Sequence, residues 1–210
     1  MPPKLNMQVS LMGVGVSGTS TQCLGTVKLR INVSKGLGTT GVTREVTPTL
    51  VTGKFSTVTK AGDGYQVYQV SDFELGNTFT ASDKIYINIK GANDSGNLKL
   101  LATFYGKDNQ ISGFTSQDDS LISVSDLGTT LILYNYPILN GDIGSDTSIN
   151  QGDGVISGND FIHMKNQWNS MVSGPNGRLR ADLNGDCIVN SMDLQIYKNS
   201  TKEQYGTKTF

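Results

Sequence analysis

Residues 182–193 read Asp-Leu-Asn-Gly-Asp-Cys-Ile-Val-Asn-Ser-Met-Asp. Oxygen-bearing side chains stand at positions one, three, five, nine and twelve of this window: Asp182, Asn184, Asp186, Asn190 and Asp193. A hard divalent cation such as calcium takes six to eight oxygens, and a loop of alternating donors can wrap around it. The backbone carbonyl of Ile188, at position seven, adds a ligand. Asp193 also stands where a helix can begin, a place that favours a negative side chain through the helix dipole and the unpaired N–H groups. Position six of such a loop is usually glycine, because few other residues adopt its backbone without strain; here it is Cys187.

The pattern occurs twice, since residues 154–161 match residues 187–194 position by position at an offset of 33. In the earlier copy Asp153, the carbonyl of Val155, Ser157 and Asp160 take positions five, seven, nine and twelve, but an ungapped loop would put Ile149 and Gln151 at one and three. The donors return if the loop starts at Asp142 and residues 144–150 bulge out as an insertion, with Asp146 or Asn150 as the third ligand. Two calcium sites are expected, the later loop being the more regular. Asp182, Asp186 and Asp193 in one loop, and Asp142, Asp153 and Asp160 in the other, repel one another without a cation, so calcium should take part in folding.

Each loop runs into an apolar pattern at helical spacing: Phe161, Ile162, Met164 and Trp168 after the first, and Leu194, Ile196 and Tyr197 within 192–199 after the second. Residues 170–180, with a Gly174-Pro175-Asn176-Gly177 turn, connect the copies. Ile162 and Met164 are expected to face the core. Phe161 and Trp168, seven residues apart on one helical face, read as the core of this module or its packing against what precedes it. His163 is the sole histidine and reads as a surface or packing residue rather than a base.

Ahead of the loops the chain alternates with period two at Leu5, Met7, Val9 and Leu11, at Val27, Leu29, Ile31 and Val33, and at Ile85, Ile87 and Ile89. Further runs lie at 54–59, 65–70, 98–105 and 131–136, bounded by clusters such as Gly62-Asp63-Gly64 and Asn93-Asp94-Ser95-Gly96; residues 106–120 read as a long loop. With 25 glycines and no sustained helical period before Tyr134, this part is expected to be all β. The fold class is therefore mainly β, an antiparallel β-sandwich followed by a small α-helical calcium-binding module. The expected division is 1–137 for the sandwich, 138–204 for the module and 205–210 for a tail.

The duplicated loop and helix of about sixty residues, with Asp-x-Asn-x-Asp-x-Ile-Val-x-x-x-Asp running into Leu194 and Lys198, resembles the dockerin type I repeat. That resemblance implies a calcium-dependent module that plugs its carrier onto a cohesin domain. It also implies that loop positions ten and eleven and the helix beyond contact the partner, here Gly158, Asn159 and Lys165 in one copy and Ser191, Met192 and Lys198 in the other. The order of sandwich, inserted loop and helix is similar to that of bacterial surface proteins with a dockerin tail behind an immunoglobulin-like or carboxypeptidase-regulatory-like domain.

A formal net charge of −1 and a sequence pI near 5.8 provide no basic footprint for nucleic acid. No run of 18 apolar residues argues for membrane insertion, and Met1-Pro2-Pro3-Lys4 lacks the apolar core of a signal peptide, so the chain reads as soluble and already processed or trimmed. Cys23 and Cys187 are too few for a disulfide framework and read as two unpaired thiols, although a bond between them would pin the front of the chain to the rear. No nucleophile elbow, phosphate loop or His/Cys metal cluster argues for an enzyme. Tyr65, Tyr68, Tyr86, Tyr105, Tyr134 and Tyr136 offer either a sugar-stacking strip or, as is commoner in sheets, cross-strand packing. The expectation is a non-catalytic, extracellular or cell-surface calcium-binding protein that docks to a cohesin-like domain or to other copies of itself. The alternatives are a self-assembling subunit of a surface layer or filament, and a polysaccharide-binding module attached to a larger complex.

Overall fold

The computed structural model describes residues 2–15, 21–35, 41–56, 64–92, 100, 103–105, 122–124, 130–134, 137–144, 153–172 and 179–205. Outside them lie the expected loop at 106–120, much of the 98–105 run, Tyr136, Asp146 and Asn150, Gln151, the 174–177 turn, and the tail beyond 205.

The alternating runs form strands with one buried face. They are β1 (Lys4–Ser10), β2 (Leu29–Ser34), β3 (Val42–Val46), β4 (Thr49–Phe55), β5 (Gln66–Glu74), β6 (Lys84–Gly91), β7 (Thr103–Tyr105), β8 (Ile122–Ser123) and β9 (Leu131–Ile132). One sheet has the order β4-β5-β1-β9, and the other β3-β2-β6-β7 with β8 also on β6. Between them Leu5, Met7, Val9 and Leu11 from one sheet meet Leu29, Ile31, Val33, Ile85, Ile87 and Ile89 from the other. Each such side chain, fully buried, contributes about 1.5–3 kcal/mol relative to exposure.

Two features depart from the period-two reading. β3 is not marked by alternation, because among the described residues it is an edge strand paired only with β2, and its Thr43, Arg44 and Glu45 are all exposed. β9 runs parallel to β1, pairing Leu131 with Met7 and Ile132 with Gln8, whereas the other strand pairs among the described residues are antiparallel. Alternation reports which face is buried and carries no information about the direction of the neighbour.

Beyond the sheets come α1 (Gly158–Asn166) and α2 (Ser191–Tyr205). Ile143, Ile156, Met164, Leu183, Val189, Ile196 and Tyr197 form a second core, which Met12 and Tyr65 from the sandwich also enter. The junction is tied by polar groups as well. The buried Asn140 donates through Nδ2 to the carbonyls of Met12 (3.4 Å) and Leu183 (2.8 Å), and through its N–H to Ser200 Oγ (3.1 Å). Gly13, at φ +78°, lies against Ile196, where a Cβ would collide.

The expectation of two unpaired thiols is overturned: Cys23 and Cys187 are disulfide-bonded across 164 residues of sequence. Cysteine count cannot reveal this, since two residues so far apart in sequence meet only when the two cores dock. The inward placement of Phe161, Ile162 and Trp168 is overturned too. They are 43%, 54% and 40% exposed, and among these apolar residues only Met164 is buried. Trp168 moreover lies past the end of α1, in the turn that follows Gln167. A helix of nine residues presents a narrow inner stripe, and Met164 with Asp160 fills it.

Candidate metal centre

Both oxygen-rich segments fold as loops that close onto the first turn of a helix, and their hydrogen bonds repeat residue for residue. In the second loop the Asp182 carboxylate accepts from the N–H groups of Gly185 (2.8 Å) and Asp186 (3.1 Å) on one oxygen and of Cys187 (2.9 Å) on the other. In the first loop Asp142 accepts from Asp153 (3.0 Å) and Gly154 (3.1 Å). Asp142 is thus seated on its loop as Asp182 is on its own, in keeping with the alignment in which the loop starts at Asp142 and residues 144–150 bulge out.

The closing aspartates match equally. Asp193 accepts from Leu183 (2.6 Å), Asn184 (3.4 Å) and Asn190 (2.8 Å), and Asp160 from Ile143 (2.6 Å), Gly144 (3.1 Å) and Ser157 (2.7 Å). Each ties the start of its loop to its end. Ser157 also caps α1, with Asp160 completing a capping box, and Asn190 takes the corresponding place before α2 by accepting from Met192 N–H at 2.7 Å. At position five Asp153 and Asp186 accept from Val155 and Ile188 N–H, each at 3.0 Å. Asn184 lies between, accepting from Asp186 N–H and donating to Asp186 Oδ2.

Position six is occupied by Gly154 at φ +86° in one loop and by Cys187 at φ +80° in the other, so the two copies share a left-handed turn that only one of them makes with glycine. Gly185, at position four, has φ +78°.

Asp160, Asp182 and Asp193 are fully buried. Burial, with neighbouring carboxylates adding to it, pushes Asp193 up to about 7 and Asp182 and Asp142 up to about 6; burial raises Asp160 as well. Loop N–H groups pull in the other direction without cancelling the effect. Among the described residues no three His, Cys, Asp or Glu side chains converge as a finished metal cluster. The donor chemistry nonetheless fits a hard dication, because the groups gathered here are carboxylates, amides, a hydroxyl and carbonyls, and crowded buried carboxylates are what such an ion neutralises. Neither sulfur nor imidazole belongs to either set, Cys187 being engaged in its disulfide.

Of the residues expected to face a partner, Gly158 and Lys165 on α1 and Ser191, Met192 and Lys198 on α2 are exposed, and Asn159 is half-buried. The exposed Phe161, Ile162 and Trp168, which the sequence reading had assigned to the core, form with Met171 (70%) an apolar surface around α1. Their helical spacing was visible, but an inward and an outward stripe share the same period. Tyr65, Tyr68 and Tyr86 are buried, so they cannot stack on a sugar. Tyr134 is half-buried beneath Lys54 Nζ, 4.7 Å from its ring centre. No helix among the described residues is long and apolar enough to cross a membrane.

Residues 140–200 match the model of the dockerin type I domain, a span of less than half the chain, and over that span the resemblance carried by the two loops holds. No curated protein matches. Among solved structures the chain is similar to one from a crystallised type II cohesin–X–dockerin complex of Acetivibrio cellulolyticus, an N-terminal interface mutant, at 15% identity and a TM-score of 0.46, with 93% of this chain and 94% of that one covered.

Proposed function

We propose that this chain is a non-catalytic, extracellular docking protein whose C-terminal module, folded around two calcium ions, engages a cohesin-like domain. The observation that carries the reading is the repetition of one hydrogen-bonded loop-and-helix unit in residues that match the dockerin type I model. The ligands are Asp182, Asn184, Asp186, the Ile188 carbonyl, Asn190 and Asp193 in one loop. In the other they are Asp142, Asn150, Asp153, the Val155 carbonyl, Ser157 and Asp160. In this reading residues 1–137 form the carrier sandwich, residues 138–204 the module and residues 205–210 a tail.

Calcium would neutralise each trio of aspartates and fix the entry of the following helix, which presents Gly158, Asn159 and Lys165, or Ser191, Met192 and Lys198, to the partner. Exposed Phe161, Ile162 and Trp168 supply the apolar contact area that a stable interface needs at its centre. An extracellular setting fits both calcium loops, which suit an environment rich in calcium, and a disulfide, which persists in oxidising surroundings.

Calorimetric titration of the chelator-treated chain with calcium tests the first half of the reading, with two ions and a higher unfolding temperature expected. Titration of the calcium-loaded chain with a purified cohesin domain tests the second, with binding lost in chelator. Absence of calcium binding would sink the reading. Calcium binding followed by concentration-dependent self-association without a cohesin would favour a self-assembling subunit instead.

A further inference from the structure

The second oxygen-rich loop is supported from outside by residues near the opposite end of the chain. Position six carries the same left-handed backbone in both copies, φ +86° at Gly154 and φ +80° at Cys187. Glycine adopts that conformation at no steric cost, and open space surrounds Gly154. A residue with a Cβ does not, so an unsupported Cys187 would favour a relaxed loop with φ below zero.

Three contacts from residues 23–24 oppose that relaxation. Cys23 is bonded to Cys187, holding the two Cα atoms 5.2 Å apart. Cys23 N–H donates to the carbonyl of Gly185 at 2.9 Å. The backbone of Leu24 lies so close to Gly185 that a Cβ there would stand 2.9 Å from Leu24 Cα. From the inside the Asp182 carboxylate holds the N–H groups of Gly185 and Cys187, and of Asp186 between them. Positions four to six are therefore clamped between a ligand carboxylate and a loop of the sandwich.

We propose that Cys23, through its disulfide to Cys187, is a positioning residue of the second calcium site, replacing the glycine that position six of the first loop uses. This rests on the calcium reading above, and it makes the second site a composite of both ends of the chain. The bond thereby links two equilibria: whatever opens it lowers calcium affinity at one loop and leaves the other alone.

The test follows the amide signals of Gly185 and Gly154 by nuclear magnetic resonance during calcium titration of the full-length chain, the two glycines reporting their own loops. Two double variants are compared with the parent. In Cys23→Ala/Cys187→Ala the bond is gone and a Cβ remains at position six. Calcium affinity read at Gly185 should fall roughly tenfold, the fold-change equivalent to placing one non-glycine residue in the left-handed region, while affinity at Gly154 stays unchanged. In Cys23→Ala/Cys187→Gly the bond is also gone but the turn costs nothing, and affinity at Gly185 should return to within about twofold of the parent. Unchanged affinity in the alanine variant, or equal loss in both variants, overturns the proposal. If the alanine variant loses the amide pattern of the sandwich, the glycine variant decides alone: near-parent affinity supports the proposal and a tenfold loss overturns it. Failure of both amides to respond to calcium in the parent overturns the calcium reading itself, which separates the two failures.

Discussion

Gly154 and Gly185 both have φ near +80°, yet a methyl group at each would meet different surroundings. Around Gly154 there is open space, so Gly154→Ala should cost only the backbone term, about 1–2 kcal/mol. At Gly185 the backbone of Leu24 blocks the new Cβ, so Gly185→Ala should cost clearly more, a difference that denaturant unfolding of the two variants in calcium would measure. The buried aspartates supply a second prediction. Asp193, raised to about 7, and Asp182 and Asp142, raised to about 6, hold protons in the folded chain at pH values where the unfolded chain, with the ordinary aspartate value of 3.8, has released them. Their folded-state pKa values are raised, so the stability they allow is fully present below the unfolded value and is lost as pH rises through the folded ones. In chelator, thermal stability of the module should therefore fall from about pH 4 to about pH 7. Calcium binds the deprotonated ligands, so its stabilising effect should grow over the same interval. A flat profile in chelator would mean that these carboxylates are better solvated than their burial indicates.

The helices show how far an apolar pattern reaches. Spacing of Phe161, Ile162 and Met164 announced α1, and the aspartate that closes each loop announced where α1 and α2 begin. Spacing did not tell inside from outside: Met164 is buried and Ile162 is not. Met164→Ala should open a cavity in the second core and cost about 2–5 kcal/mol. Ile162→Ala and Trp168→Ala should each leave stability within about 0.5–1 kcal/mol of the parent and weaken cohesin binding about tenfold or more. Parallel denaturation and partner titration of the three variants would separate these roles. Equal destabilisation by Trp168→Ala and Met164→Ala would place Trp168 back in the core.

Across the whole molecule the sandwich and the module share a core and are covalently joined. Met12 and Tyr65 pack among Leu139, Ile196 and Tyr197, Asn140 binds both sides, and the disulfide closes a loop spanning 164 residues. Closing a loop of this length contributes about 4–5 kcal/mol in the chain-entropy account. Residues 138–205 expressed alone and saturated with calcium should therefore be less stable than the same module in the full chain, by about 3 kcal/mol or more from the lost burial of two large side chains. Calorimetric unfolding of the two would show it, and equal transition temperatures would mean that the shared core contributes nothing to the module.

Features that depend on neighbours a few residues apart were legible in the chain before it folds. The period of two in β1, β2 and β6 set which side chains face the core, and the spacing of oxygen donors located both loops. The second copy supplied the template that put Asp142 at the head of the first. Features that depend on elements far apart in the chain emerged with folding: the parallel pairing of β9 with β1, the outward stripe of α1, and the meeting of Cys23 with Cys187. The physical reason is that periodicity and donor spacing are short-range properties of one segment. Pairing, exposure and cross-linking are set by which surfaces remain for one another after each segment has buried its own apolar face.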